Sequence, residues 1–262
     1  PICNEDVNRV MAGLQVTYES LEKTGQAGAF DFFILSDSSD PDVLVEEEVA
    51  WAALCRRLDA FGRVFYRRRQ GNLKRKSGNV AEFCRRYGQN YRYMIVLDAD
   101  SVMADATLTR LVLTMERNPR CGRLQTLPAC VNRETPLARV QQFASQAYGR
   151  MFAAGLHYWL VGDSLYWGHN GIIRVEPFMK HCGLPRLPGK PPLGGDIMSH
   201  DFVESALLCR YGWEVRLAYE LDGSYEETPP TLLDELKRDR RWCQGNLQHL
   251  RLALFGDFRP MQ

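Results

Sequence analysis

No stretch of this sequence reaches the eighteen or so consecutive apolar residues of a membrane-spanning helix, and no signal peptide opens it. A dominant charge is lacking too. Thirty-three Lys and Arg face 32 Asp and Glu, so no global field recruits nucleic acid or an anionic membrane, and any partner must be read from local sites. The eight cysteines stand singly, without a C-x-x-C pair, and no clustered histidines complete a zinc set. Reduced thiols are therefore expected rather than a disulfide framework. Neither G-x-G-x-x-G nor a Walker A pattern occurs, which removes the best support for dinucleotide and P-loop readings. There is no internal repeat or low-complexity tract. What is present is a 262-residue chain, 45% hydrophobic, long enough for one large domain or two fused halves. It opens on Pro1, and PICNED reads like the exit from a strand, so a piece of a longer protein is expected.

The first half alternates between two periods. Helical patterns over about 7–21, 41–58, 78–88 and 104–117 are interleaved with apolar runs at 30–37, 63–68, YMIVLDAD and 122–127. Continuous apolar runs between helices predict a parallel α/β sheet covered on both faces, with ligands at the carboxyl ends of its strands. SDSSD and DAD fall at such ends. The second half is less regular. It predicts a long helix over about 137–160, with Phe143, Ala147, Met151, Ala154 and Tyr158 along one face, then a strand in YWGHNGIIRV. A Gly/Pro-rich loop at 183–196 follows, then a helix from Ser199 or Asp201, a strand at 213–219 and a charged helix over 231–250.

Five motifs carry chemistry. Asp98 and Asp100 flank Ala99 at a strand end, where alternate residues share a face; two carboxylates so close accommodate a hard divalent cation, or they simply start a turn. Asp37 ends an apolar strand, and Asp40-Pro41 offers a helix cap. The basic run RRRQGNLKRKSGN suits phosphates through backbone N–H groups and Lys76, or is a solvated loop. Asp201 stands at a helix start, as a general base with Asp196 and His200 as competitors, or with Glu204 in a capping box. RDRRWCQGN sets arginine forks beside Trp242, suiting phosphate and a sugar face. His169 and His249 read as structural, and the glutamates of SYEETPP as a solvated loop.

The order PICNE, SDS, KSGN, DAD, SHD, RRW resembles that of processive family 2 glycosyltransferases of GT-A type, which include cellulose and hyaluronan synthases. The signatures YWGHNGIIRV, GSYEETPP and KRDRRWCQGNLQH are closer to the branch that makes osmoregulated periplasmic glucans in Gram-negative bacteria. The resemblance implies a GT-A, Rossmann-like, mostly parallel sheet in a single catalytic domain. Residues 1–127 would form its nucleotide-sugar half and 128–262 its acceptor and base half. It implies an inverting UDP-glucose-dependent β-glucosyltransferase at the cytoplasmic face of the inner membrane. The implied partners are a β-glucan acceptor, the parent protein's transmembrane helices and an acyl carrier protein, with no nucleic acid.

By the same resemblance Asp37 contacts the uracil, Lys76 the nucleotide or its phosphates, and the PICNE segment, with Glu5, closes over the base. Asp98 and Asp100 hold ribose and Mg2+ or Mn2+, Asp100 most directly. Asp201 is the base, although Ser-His-Asp replaces the family's Thr-Glu-Asp. Arg241 contacts the diphosphate and Trp242 the acceptor sugar, while Arg238 replaces the family's glutamine and has no carried-over role. Another family 2 synthase with a different sugar or linkage, and a silent nucleotide-sugar sensor, remain alternatives.

Overall fold

The structure, a computed structural model, describes residues 1–161, 163 and 165–255. In chain order the elements are α1 (Val7–Lys23), β1 (Phe32–Ser36), α2 (Pro41–Leu58), β2 (Val64–Arg68), α3 (Arg75–Tyr87), β3 (Tyr93–Val96), β4 (Val102–Met103) and α4 (Asp105–Arg117). There follow β5 (Cys121–Thr126), β6 (Ala129–Cys130), α5 (Pro136–Leu160), β7 (Gly171–Arg174), α6 (Val175–His181), α7 (His200–Arg210), β8 (Glu214–Ala218), β9 (Ser224–Glu226) and α8 (Leu232–Phe255). Several helices start where their caps dictate. Asp6 accepts from the Arg9 amide and Asp40 from the Asp42 amide, both at 3.0 Å, and Thr135 caps α5. Pro41 and Pro136 occupy first turns, where the missing N–H costs nothing.

β1 and β2 pair in parallel, with α2 as the crossover. The central sheet has the order β3-β7-β5-β8, in which β5 and β8 are parallel and β7 is antiparallel to both its neighbours. Three of its four strands therefore run one way, as expected, and β7 enters from the opposite end. β4, β9 and β6 form a small third sheet of two- and three-residue strands, too short to show a period in sequence. The expected strand through YWGHNGIIRV is shorter: only residues 171–174 pair, and α6 begins at Val175, with Pro177 in its first turn. α3 begins at Arg75 rather than near Gly78.

The core clusters join both halves of the chain. One unites Leu35, Val80 and Val96 with Ile173, Leu208 and Val215, and another joins Leu21 and Met103 to Leu124 and Ile172. All six residues of β5 are buried, two of them carrying large polar side chains, Arg123 and Gln125. The Arg123 guanidinium, fully enclosed, forms an ion pair with Glu204 of α7, and its carbon lies 4.5 Å from the centre of the Tyr166 ring and 5.3 Å from that of Phe178. Glu204 also meets His200 Nδ1 at 3.1 Å. Burial alone would raise the Glu204 carboxyl, but His200 and Arg123 bring it below the usual range.

Removing one partner of such a pair leaves a charge stranded in the core. Glu204→Gln is expected to cost about 3–5 kcal/mol, which for a domain of this size lowers Tm by on the order of 10 °C. Because the Glu204 pKa is depressed, its contribution is complete above the ordinary glutamate range and fades as pH falls through the depressed value. Thermal melts of wild type and variant from neutral to acid pH should converge as that contribution disappears.

Candidate active site

The carboxyl ends of β1 and β3, the starts of α3 and α7 and the loop into β7 supply one cluster of charged side chains. Beyond β1, the SDS turn is held by a buried glutamate: Ser36 and Ser38 hydroxyls each donate to Glu47 at 2.6 Å, and the Tyr66 hydroxyl donates at 2.7 Å. Asp37, between those serines, is buried and accepts two 2.7 Å hydrogen bonds from Arg69. The amino-terminal segment lies alongside, with Ile2 bridging Ser36 in parallel, the Asp37 amide donating to Ile2 O at 2.9 Å and the Asn4 amide to Ser38 Oγ at 2.8 Å. Asp40 only caps α2.

Most of the basic run is engaged internally. Arg69 holds Asp37 and donates to the carbonyls of Leu73 and Arg75, Arg67 pairs with Glu82, Lys74 donates to Leu184 O and Lys76 pairs with Asp98. The loop closes tightly enough that a Cβ at Gly78 would lie 2.0 Å from Leu73 O, so only glycine fits. Lys76 is thereby brought to the DAD strand end in the first turn of α3. Burial would raise Asp98, yet Lys76 and then His169 pull it down to about 2. Asp98 is therefore firmly ionised.

Around Asp98 and Asp100 stand two more carboxylates, one of them unforeseen as a site residue. Glu5 is raised by burial, against the pull of Arg9, and then by Asp100 and Asp98. Glu226, at the end of β9, is raised by burial and by the same two aspartates, while His169, 3.3 Å away, and Arg238 oppose the rise. SYEET is thus not a solvated loop: Glu227 is also enclosed, bonding Arg9 at 3.1 Å and Arg133 and Asn132 at 2.6 Å. Only the β4-β9 pairing, invisible in sequence, brings these glutamates back to DAD.

The rise of Glu5 and Glu226 beside the two aspartates marks negative charge that the protein leaves in excess, and the hard oxygen donors of Asp98 and Asp100 fit a divalent cation. No three His, Cys, Asp or Glu converge as a full cage among the described residues.

Asp201 occupies the second position of α7. Ser199 is the N-cap, and Glu204 is committed to Arg123 and His200, so the capping-box reading fails. Burial raises the Asp201 carboxyl; His200 and Lys76 counter in part, and Glu204 adds to the rise. Gly168, at φ +92°, lies against it, and a Cβ there would be 3.2 Å from Asp201 Oδ2. The loop bearing Gly168 is pinned by Gln125, whose amide oxygen accepts from Trp167 N at 3.0 Å and whose Nε2 donates to His169 O at 3.1 Å. Of the competitors, Asp196 faces Arg186 at 3.7 Å and His200 is turned to Glu204.

α8 secures the segment before α7. Gln248, buried, accepts from Met198 N at 2.9 Å and donates to Asp196 O at 3.0 Å, and His249 Nε2 meets Ser199 O at 2.8 Å. Arg241 is exposed and makes no ion pair among the described residues. Trp242 is half exposed, with the Arg238 guanidinium 4.4 Å from its ring centre. Arg238, held by Glu235, covers one indole face and acts on Glu226, which gives this departure from the family's glutamine a structural place. Packing at this joint is tight: a Cβ on Gly245 would fall 2.0 Å from Ser199 Oγ. Gly245→Ala is expected to cost about 1–3 kcal/mol and to speed hydrogen exchange at the start of α7, whereas Gly155→Ala, with open space on α5, should stabilise by about 0.5–1 kcal/mol.

A family model for "Glycosyl transferase family group 2" matches residues 93–261. The chain is 62% identical over 261 residues to a Ralstonia nicotianae protein named glucans biosynthesis glucosyltransferase H, and 58% identical to proteins of that name in Pseudomonas aeruginosa and Dickeya dadantii. Each alignment covers 100% of this chain but only 30–31% of the relative, so the chain spans about a third of their length. The crystal structure of TarS from S. aureus superposes with a TM-score of 0.52 at 13% identity, covering 95% of this chain and 42% of that one, which fixes a GT-A-like fold.

Proposed function

The chain belongs to glycosyl transferase family group 2, and from that premise we propose that it is the catalytic domain of an inverting glucosyltransferase of glucan biosynthesis. It would transfer glucose from UDP-glucose to a growing β-glucan of the osmoregulated periplasmic kind, at the cytoplasmic face of the inner membrane, as part of a longer protein with transmembrane helices. The observation that carries the reading is Asp201: a partly buried carboxyl with a raised pKa, lying against Gly168 and sharing the field of Lys76 with the ionised Asp98. A base made more basic by burial, beside an anchor that stays charged, separates proton transfer from donor binding.

In this reading the uridine lies between the PICNE segment and the SDS turn. Asp37, already clamped by Arg69, uses its remaining acceptor capacity for the uracil. Lys76 faces the diphosphate, and Asp98 and Asp100 would hold the divalent ion, which when bound supplies positive charge to the departing UDP. The Asp201 carboxylate takes the proton of an acceptor hydroxyl as that oxygen attacks the anomeric carbon and the bond to UDP breaks on the opposite face. The α-linked donor thereby gives a β-linked product, and no second carboxylate nucleophile is needed. Trp242 offers the acceptor sugar its open face, with Arg238 holding the other, and Arg241 reaches the diphosphate.

Asp201→Asn should lower glucan synthesis at least about 10²-fold in membranes carrying the full-length protein. In the wild type the acid limb of the pH–rate profile should inflect above the ordinary aspartate value of about 3.9, because the raised pKa surrenders the base form sooner as pH falls. Full activity in Asp201→Asn, or with UDP-GlcNAc or UDP-glucuronate in place of UDP-glucose, would refute the base or the donor respectively. For the ion, calorimetric titration of UDP should show affinity rising on the order of tenfold with Mn2+ in the wild type and not in Asp100→Ala; equal gains in both would remove Asp100 from the metal site.

A further inference from the structure

Glu226 stands in the site with no task yet attached to it, although several segments combine to hold it. Its main chain belongs to the middle strand of the β4-β9-β6 sheet, where it pairs with Cys130, and its carbonyl accepts from Val131 N at 2.9 Å. Its Oε2 lies 3.3 Å from His169 Nε2, and the other ring nitrogen of His169 lies 3.3 Å from Asn170 Oδ1. Asn170 is wholly buried at φ +51°. Its Nδ2 donates to Ser224 Oγ at 3.0 Å and to Tyr225 O at 3.1 Å, the two residues before Glu226. One asparagine thus fixes both the imidazole and the strand that carries its carboxylate partner, and its left-handed backbone is of the kind that a fold keeps where the surroundings over-determine it.

The carboxylate so held is left with acceptor capacity to spare. At Oε1 the only protein donor among the described residues is the Cys130 thiol at 4.0 Å, a weak donor at the limit of reach. No Lys or Arg among them lies within ion-pair distance of Glu226, and its side chain keeps 30% of its surface exposed. A phosphate there would meet like charge, and no metal cage of three ligands includes this carboxylate. A neutral hydroxyl donor is the complement that remains. Location narrows it further: Glu226 feels Asp98 and Asp100 on one side and Arg238 on the other, and Arg238 is stacked 4.4 Å from the ring centre of Trp242. We propose that Glu226, positioned by His169, is a specificity-determining residue that accepts hydrogen bonds from hydroxyls of the glucosyl unit being transferred.

The inference deepens the proposed function and rests on it, because the transferred sugar must lie between the diphosphate at Asp98 and Asp100 and the acceptor on Trp242. A carboxylate accepts two hydrogen bonds side by side, which matches a pair of neighbouring ring hydroxyls, and hydrogen bonds to a charged acceptor are the stronger kind. A site built this way discriminates by what it would leave unpaired: a sugar without the hydroxyl strands the carboxylate, and a uronate sets a second negative charge beside it. UDP alone carries no sugar and is indifferent to Glu226. Nucleotide affinity and sugar affinity therefore separate at this residue.

The test measures the KM for UDP-glucose and the inhibition constant of UDP side by side, in membranes carrying the full-length protein. Glu226→Gln is expected to raise the KM for UDP-glucose at least about tenfold and to lower kcat, with UDP inhibiting within about twofold of its wild-type potency. UDP-glucuronate should inhibit the glutamine variant better than the wild type, since the like charge is gone. His169→Gln should produce the same split on a smaller scale. Glu226→Asp, which keeps the charge but withdraws it by one methylene, should fall between, and it carries the test should the glutamine variant not fold. Equal weakening of UDP and UDP-glucose in Glu226→Gln, or a KM left unchanged, would overturn the inference. A wild type that makes no glucan from UDP-glucose would refute the donor reading and this inference with it, a result read without any variant.

Discussion

The buried pairing of Arg123 with Glu204 is the constraint on which the rest of the site depends. A guanidinium wholly withdrawn from water costs several kcal/mol to place there, and only a well-seated carboxylate with supporting contacts offsets it. Those contacts are the site's own framework. The same guanidinium donates to Asp201 O at 3.2 Å, so it fixes the main chain of the first turn of α7. It lies against the Tyr166 ring, and Tyr166 begins the loop that carries Gly168 to the Asp201 carboxylate. One charge inside the sheet therefore braces both walls of the gap beside the Asp201 carboxylate.

Outside that gap the electrostatics divide into two zones. Toward β1 the charges are matched, Asp37 by Arg69 and Asp98 by Lys76. Toward β9 negative charge accumulates on Asp100, Glu5 and Glu226, and His169 and Arg238 answer it only in part. Charges matched on one side and a cleft left short of positive charge on the other are, in the proposed reading, what a metal-bearing diphosphate would complete.

Much of this was legible in the sequence where long elements meet strong local signals. Asp37 and Asp98 follow apolar runs that read as buried strands, and the Asp-Pro cap set the start of α2 to the residue, while the long helix expected from about residue 137 begins at Pro136. Glu226 and Glu227 were not legible, because their position depends on β9, three residues long and paired with a two-residue strand. Arg123 was hidden for a different reason. β5 is buried on both faces, so its polar residues sit at positions that in a one-sided sheet would face solvent. For Asp201 the local Asp-x-x-Glu pattern pointed to a cap, and only the long-range demand of Arg123 on Glu204 decides otherwise. On α5 periodicity found the helix and its apolar stripe correctly. It could not say that the stripe faces outward, as it does at Phe143, Met151 and Tyr158, because period carries no information about what lies opposite.

α8 is attached at two places that chemistry would treat separately. Trp242 projects from one turn, and one to two turns further on Gly245, Gln248 and His249 are locked to the segment that begins α7. A continuous helix transmits displacement with little bending, so the indole and the joint at Ser199 belong to one stiff element. In the proposed reading, occupancy of the acceptor site would be felt at Ser199, the residue that opens the helix bearing Asp201.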